Sequence, residues 1–355
     1  MKFGLLYELS VAKPWNDRSE YDTWWEAIKQ VVLPEDLGID YVWIVEHHFL
    51  EELSSSSCPE IWLSAVAQHT SKIRIGHGVV LLPMPFNHPV RVAERIAGLD
   101  IVSNGRVEFG TGRGISIEEH GGFDMDPAQT KAMWREAIEI IPKMWATDRF
   151  SYDGKYVKIP PRNVVPKPIQ KPHPPIWVAC GSDETYGLAG DLGLGALCFS
   201  IMEPESLGPK VAVYKERIKN AKPVGQFVNN QAALNTIMYC DETDEKALET
   251  GGPGAAFYIS QAFKFQFSGR QHKFDPQTEW DYKRLMKRVT TKGGVAVGSP
   301  DTVAEQIDRI IAQGADQVMF NIQTGKIPHD KIMKSLWLFA KEVMPRYKKP
   351  AAARA

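Results

Sequence analysis

The sequence predicts an α/β protein folded as a (β/α)8 barrel. Eight short apolar segments alternate with longer amphipathic segments along the 355 residues, a pattern that implies parallel strands joined by helices. Some segments, such as residues 41–45, are continuously apolar, as expected for strands that are covered on both faces. Eight strand–helix units in one chain favour a closed barrel over an open doubly wound sheet.

The first half of the chain contains four of these units. Strands are predicted at residues 2–8, 41–46, 73–83 and 105–114. Helices are predicted at residues 20–38, 59–70, 89–103 and 127–145. Pro34 lies inside the first helix, where a proline removes a backbone donor and is expected to kink or break the helix.

The second half continues the alternation. Strands are predicted at residues 174–181, 194–201, 230–240 and 316–322. Helices are predicted at residues 182–193, 206–221, 301–314 and 329–347, with a further helical stretch after residue 247. A barrel of this type needs about 250 residues, and the surplus lies in two insertions, at about 147–175 and 267–294. No shift in composition marks a second domain, so residues 1–355 are expected to form one domain.

Composition and charge exclude several classes of protein. Lys and Arg number 42 and Asp and Glu 43, for a formal net charge of −1, so the chain lacks the basic excess of a nucleic-acid-binding protein. No apolar run approaches the roughly 18 residues that span a membrane. The cysteines are widely spaced, which argues against a disulfide framework or a structural zinc site. These features predict a cytoplasmic protein without a metal.

Polar and glycine-rich residues follow several predicted strands. Glu46, His47 and His48 follow the second strand, Arg113 follows the fourth, and Ser182 follows the fifth. In a (β/α)8 barrel the catalytic residues lie at the C-terminal ends of the strands. The sequence therefore predicts a site at this rim, which we call the mouth of the barrel.

The adjacent histidines have three possible roles. They could be metal ligands, satisfied polar groups of the core, or part of an active site. Neighbours in an extended segment point to opposite sides, so His47 and His48 cannot readily share one metal, and no other spacing completes a metal site. We favour one histidine that faces the mouth, with the other held by packing. His69 and His77 fit structural roles.

The segment "GTGRG" (110–114) is not a dinucleotide-binding motif, because Ile115 stands where the third glycine is required. Arg113 can still bind an anionic group through its guanidinium. Ser182 and Thr185 lie at a helix start, where hydroxyl and free N–H groups bind phosphate, although an ordinary helix cap is the alternative. Together these residues predict a phosphate site and a mononucleotide-type cofactor.

The order of several motifs resembles the bacterial luciferase family of flavin-dependent monooxygenases, and its α subunit in particular. The motifs are "GIDYVWIVEHHF", "VVLLPMPFNHPVRVAE", "LDIVSNGRVEFGTGRG", "PPIWVACGSDET" and "VGSPDTVAEQIDRII". The resemblance runs nearly from end to end. It implies that a separate reductase supplies reduced FMN, which reacts with O2 to give a C4a-peroxyflavin. This species would oxygenate a small hydrophobic substrate such as an aldehyde, a ketone or a terpene-like compound.

The resemblance also implies roles for individual residues. His47 would be catalytic, and the cofactor-binding residues would be Gly78, Val79, Arg113, Gly181, Ser182 and Thr185. Arg113, Ser182 and Thr185 would hold the FMN phosphate. A non-proline cis peptide is expected at Gly78–Val79, with the flavin ring against it. Gly112 stands where the luciferase α subunit has a reactive cysteine, and Gly181 where it has a glutamate.

The proposed chemistry makes further demands on the mouth. A neutral imidazole at His47 could take up a proton and return it later. Water must be kept out, and the apolar residues expected to do so are Phe49, Leu82, Met84, Phe86 and Phe199. The insertion at 267–294 is long enough to serve as a lid.

Two other functions remain open at this stage. One is a deazaflavin-dependent oxidoreductase on the same barrel, which transfers hydride and needs no O2. The other is a non-catalytic flavin-binding partner subunit, although a titratable His47 argues against that role. A homo-oligomer, such as a dimer, is expected.

Overall fold

The computed structural model describes residues 1–199, 203–266 and 295–348 and confirms the barrel. The strands are β1 (Lys2–Tyr7), β2 (Tyr41–Ile44), β3 (Arg74–His77), β4 (Val80–Leu81), β5 (Val107–Gly112), β6 (Phe150–Asp153), β7 (Lys158–Arg162), β8 (Ile176–Cys180), β9 (Gly195–Cys198), β10 (Ala232–Cys240), β11 (Ala296–Gly298) and β12 (Gln317–Asn321). Eight of them pair in parallel in the order β1, β2, β3, β5, β8, β9, β10, β12. Strand β12 pairs with β1 and closes the ring.

Helices surround the barrel. They are α1 (Ser19–Leu37), α2 (Pro59–His69), α3 (Pro89–Val102), α4 (Ile117–Gly122), α5 (Thr130–Ala146), α6 (Asp183–Asp191), α7 (Gly208–Arg217), α8 (Asp244–Gln266), α9 (Pro300–Ile311) and α10 (His329–Leu338). The predicted break at Pro34 does not occur, because α1 continues to Leu37. Burial of Ala27, Val31 and Pro34 on one face offsets the lost backbone hydrogen bond. No helix in the described ranges is long and apolar enough to cross a membrane.

The barrel interior is packed with side chains. Trp43 donates from Nε1 to Gln317 Oε1 at 2.7 Å and meets Trp177 edge to face, with ring centroids 5.3 Å apart. Leu6 and Met319 belong to the same buried cluster. Since successive strand residues point to opposite faces, the intervening residues form a second apolar layer against the helices. A filled interior leaves the mouth as the place where a ligand can bind.

The predicted strand at 73–83 is divided into β3 and β4 at the Gly78–Val79 peptide bond, which is cis as the resemblance implied. Val79 and Leu81 lie in the interior cluster. Leu82 therefore faces the other way and lies in the layer beneath the helices, where Met84 also packs. The expectation that Leu82 and Met84 line the mouth is wrong, because it ignored this alternation.

The insertion at 147–175 contains an antiparallel hairpin that was not predicted. Strands β6 and β7 pair with each other, and Phe150 and Ile159 are buried against the main core. The turn is held by Glu136 of α5, which accepts hydrogen bonds from the N–H groups of residues 155–157. The insertion at 267–294, with its proposed lid, lies outside the described residues.

Two further differences concern the C-terminal third. Strand β11 adds a short parallel partner at the end of β10 and was not predicted. The last helix was expected at 329–347, but α10 ends at Leu338. A π-helical turn follows at Phe339–Val343, and a 3-10 turn at Met344–Arg346.

Candidate active site

His47 lies at the mouth on the interior side of the barrel. Tyr41, Trp43 and Val45 belong to the interior cluster, and His47 is the next residue on the same face of the extended segment. Its Nδ1 lies 2.8 Å from Glu119 Oε1, and its Nε2 lies 3.9 Å from Glu8 Oε2. The side chain is 14% exposed. His47 therefore stands between two carboxyl groups that the sequence analysis missed.

Glu119 lies in the first turn of α4 and is fully buried. Ser116 caps this helix: its Oγ accepts from the Glu119 N–H, and its own N–H and hydroxyl donate to Glu119 Oε2. The S-x-x-E spacing at 116–119 is typical of such a helix start and was the available signal for α4. It could not show that Glu119 meets His47, which lies 72 residues earlier.

Glu8 follows β1 and is 6% exposed. Its Oε1 accepts a 2.8 Å hydrogen bond from the hydroxyl of Tyr258 in α8, whereas its Oε2 has no hydrogen-bond partner among the described residues. We call Glu8, His47, Glu119 and Tyr258 the mouth cluster. It joins the segments after β1 and β2 with α4 and α8 through buried polar contacts.

The mouth cluster holds His47 in its charged form. Burial disfavours the imidazolium, but Glu119, Glu8 and Glu46 outweigh that penalty and raise the pKa of His47 to about 9. Burial opposes ionisation of Glu119 as well, yet its contact with His47 keeps the pKa of this carboxyl below its usual range. At neutral pH the pair is an imidazolium and a carboxylate. This charge state differs from the neutral imidazole that the sequence analysis expected at His47.

Glu46 and His48 point away from His47 and fix the rim. Glu46 accepts hydrogen bonds from the Leu81 N–H at 2.9 Å and from Asn87 Nδ2 at 2.8 Å, and its Oε1 lies 3.2 Å from His48 Nε2. The His48 ring stacks on Phe86, with centroids 5.9 Å apart. These contacts give His48 a packing role. No group of three potential metal ligands is assembled among the residues with described positions.

Phe49 is more exposed than expected for a residue that excludes water. It is 58% exposed, with φ at +63°, and its ring lies so close to Gly122 that a Cβ there would approach within 2.2 Å. Phe86 and Phe199 pack at the edge of the interior cluster. The apolar wall of the mouth is thus smaller than the sequence suggested.

The predicted phosphate-binding residues follow two neighbouring strands at the mouth. Arg113 follows β5, Ser182 follows β8, and these strands are paired neighbours. The Ser182 hydroxyl lies 2.9 Å from that of Thr185 and does not cap the N–H groups of α6. Arg113 forms no hydrogen bond with another residue of the described ranges. A guanidinium and a helix start thus remain available to an anion.

Two acidic residues in the first turn of α6 would repel an anion if they were unpaired. Asp183 pairs with Lys210 at 3.1 Å, and Glu184 pairs with Lys131. Lys131 lowers the pKa of Glu184, with a smaller contribution from Arg113. The charges beside the helix start are therefore largely balanced.

Two glycines, Gly112 and Gly181, determine how much space is available near the predicted phosphate-binding residues. A Cβ at Gly112 would lie 2.3 Å from Val79 Cγ2, so a side chain at this position, where the luciferase α subunit has a cysteine, would require Val79 to move. A Cβ at Gly181 would have no atom within 4 Å. Gly181 therefore leaves open space just after β8, next to Ser182.

Comparison with known proteins agrees with this architecture. The profile of the luciferase-like monooxygenase family matches residues 1–317. The chain is 26% identical to the oxygenase component of a flavin-dependent trigonelline monooxygenase from Acinetobacter baylyi over 357 residues, which cover 98% of this chain and 96% of that protein. It is 25% identical to an F420-dependent glucose-6-phosphate dehydrogenase from Amycolatopsis mediterranei over 336 residues, which cover 90% and 94%.

A solved structure shows the same fold. It is the oxygenating constituent of 3,6-diketocamphane monooxygenase from Pseudomonas putida, determined in complex with FMN. The TM-score is 0.76, the sequences are 24% identical, and 99% of each chain is covered.

Proposed function

Because the chain belongs to the luciferase-like monooxygenase family, we propose that it is the oxygenase component of a two-component flavin-dependent monooxygenase. Reduced FMN from a separate reductase would supply the electrons that activate O2. One oxygen atom would be transferred to a small organic substrate of mainly apolar character, such as an aldehyde, a ketone or a terpene-like compound. The observation that carries this proposal is the arrangement at the mouth: a buried histidine between two carboxyl groups, and a guanidinium and an uncapped helix start that follow neighbouring strands.

The anion site fits the phosphate of FMN. Arg113 can donate two charge-assisted hydrogen bonds, and the uncapped start of α6 offers backbone N–H groups and the positive end of the helix dipole. Ser182 and Thr185 add hydroxyl groups. The Gly78–Val79 backbone would lie beside the ring system, since Val79 packs on Gly112 next to Arg113.

On the opposite side, His47 would act on the reacting groups. As an imidazolium it can donate a hydrogen bond or a proton from Nε2, while Glu119 fixes the ring through Nδ1. Glu46 and His48 hold the rim in place. The role of Glu119 is positioning, because its carboxylate is buried behind the histidine.

The test of this function is turnover with reduced FMN and O2 on a panel of aldehydes, ketones and cyclic terpenes. We expect His47→Ala to keep the fold and the FMN affinity, lose most product, and release the reducing equivalents as H2O2. His69→Ala on the outside of α2 is the matched control and should match the wild type. Full coupled turnover by His47→Ala would exclude the catalytic role, and the absence of oxygenated product from every substrate with the wild type would exclude the function.

A deazaflavin-dependent oxidoreductase is the second candidate. Its support is that F420-dependent and flavin-dependent relatives are almost equally similar to this chain, at 25% and 26% identity. Parallel titrations with FMN and with the deazaflavin F420 would separate the two. Tight binding of the deazaflavin alone, with substrate reduction or oxidation in the absence of O2, would favour the second candidate.

A further inference from the structure

Oε2 of Glu8 is a buried carboxyl oxygen that has no hydrogen-bond partner in the described part of the chain. Gly4 borders Trp43 and Gln317 inside the barrel, Leu6 lies in the interior cluster, and Glu8 is the next residue on that face. The side chain is 6% exposed, and Oε2 forms no hydrogen bond with any residue of the described ranges. A buried acceptor left unpaired is costly. Such an atom at the mouth points to a ligand or a proton that it binds during turnover.

We propose that Glu8 is a further acid–base residue of this active site and that Tyr258 positions its carboxyl group. This inference rests on the proposed oxygenase function. Tyr258 holds Oε1 by a 2.8 Å hydrogen bond, which leaves Oε2 to face His47 Nε2 at 3.9 Å. That gap is too long for a direct hydrogen bond, so Oε2 keeps its capacity to accept one from a group bound beside this pair.

Glu8 can accept a proton that His47 cannot. His47 is already protonated and paired with Glu119 at neutral pH, so it serves as a donor. In the proposed step, a proton leaves an O–H group of the substrate or of its oxygenated product for Glu8 Oε2, and the electron pair stays on the substrate oxygen. The proton returns in a later step. The carboxylate is regenerated, and no oxidant or reductant is consumed.

The surroundings of Glu8 tune it for this exchange. Burial raises the pKa of the Glu8 carboxyl, whereas His47 and the Tyr258 hydroxyl favour the carboxylate, and Glu119 opposes it. These groups face Glu8 from the segment after β2, from α8 and from α4. A carboxyl group with a raised pKa exchanges protons more readily near neutral pH.

The first test needs no flavin. An infrared titration of the full chain should show a carboxyl group that titrates above the ordinary glutamic acid range. Glu8→Gln should remove this signal, and Tyr258→Phe should move it to higher pH, because the phenol hydrogen bond to the carboxylate is lost. Tyr214→Phe, a buried tyrosine whose hydroxyl bonds to backbone carbonyls, is the matched control and should leave it in place.

The second test uses turnover with reduced FMN. Glu8→Gln should lower kcat about 100-fold, in line with the usual contribution of a general base, and abolish the acidic limb of the pH–rate profile. Tyr258→Phe should lower kcat less than Glu8→Gln does, and it should shift that limb to higher pH because the hydrogen bond to the Glu8 carboxylate is lost. An unchanged infrared titration in both variants would overturn the proposal even if the oxygenase function holds. If the wild type shows the signal but no turnover, the proposed function fails instead.

Discussion

At the scale of single residues, the charge on His47 links the site to the stability of the fold. The pKa of this histidine is raised to about 9, above the value of about 6.5 expected for an unfolded chain. The folded state therefore binds the proton more tightly than the unfolded state. The resulting stability is fully present below about pH 6.5 and is lost as the pH rises towards 9.

We expect the free energy of unfolding to fall on the order of 3 kcal/mol between pH 6 and pH 9 through His47 alone. His47→Gln should flatten this part of the profile. Urea unfolding at several pH values measures the slope for both proteins. Parallel slopes for the variant and the wild type would show that His47 is not held as a cation.

The second prediction at this scale concerns Arg113. Its guanidinium should contribute roughly 1.5–3 kcal/mol per charge-assisted hydrogen bond to a phosphate. Arg113→Ala should weaken binding of reduced FMN about tenfold or more and should affect riboflavin, which lacks the phosphate, much less. Fluorescence or calorimetric titration with both ligands checks this. Equal losses for the two ligands would mean that Arg113 does not contact the phosphate.

The local sequence pattern predicted only some of the residues of the candidate site. The interior direction of His47 follows from strand alternation, and Arg113 and Ser182 follow from their places at strand ends. Glu119 and Tyr258 were missed because their partners lie 72 and 250 residues away. Contacts over such distances depend on the closed barrel and have no local signal.

At the scale of elements, one side chain organises the β6–β7 hairpin. Glu136→Ala should expose the N–H groups of residues 155–157, since charged acceptors contribute about 1.5–3 kcal/mol per hydrogen bond. Amide hydrogen exchange at these positions should accelerate about tenfold or more while the barrel strands stay protected. Glu139→Ala, three residues along α5 and paired with Arg135, is the control. Unchanged exchange in Glu136→Ala would show that the hairpin does not need this carboxylate.

The hairpin also shows where element prediction fails. Its second strand contains Pro160 and Pro161, and proline normally argues against a strand. Both are exposed on a two-stranded ribbon, where a missing donor costs little. Pro34 is a similar case. The helix does not break there, because packing of the buried face of α1 outweighs the cost of the backbone hydrogen bond that proline removes.

At the scale of the whole molecule, the regular alternation of strands and helices was sufficient to predict the barrel. The sequence did not reveal how tightly the interior is filled. A Cβ on Gly76 would lie 2.2 Å from the Trp43 ring. Tight packing of this kind depends on the relative positions of residues far apart in the chain.

Gly76→Ala should therefore destabilise the whole barrel by about 1–3 kcal/mol or more through overpacking. Gly98→Ala is the matched control. It lies inside α3, has no atom within 4 Å of its added Cβ, and should be neutral or stabilising by about 0.5–1 kcal/mol. Thermal or urea unfolding compares the two. A stable Gly76→Ala barrel would mean that the Trp43 ring can move aside at little cost.

The mouth cluster joins four separate elements, and this has a consequence for the way the enzyme can be changed by mutation. Residues that share a polar network have non-additive effects, whereas distant sites usually add. Substitutions at Glu8, His47, Glu119 and Tyr258 should therefore be strongly epistatic, and a beneficial change at one position should require a matching change at another. Within the described part of the chain, Arg113 and Ser182 form no hydrogen bond or ion pair with the cluster, so cofactor preference should evolve largely independently of acid–base chemistry.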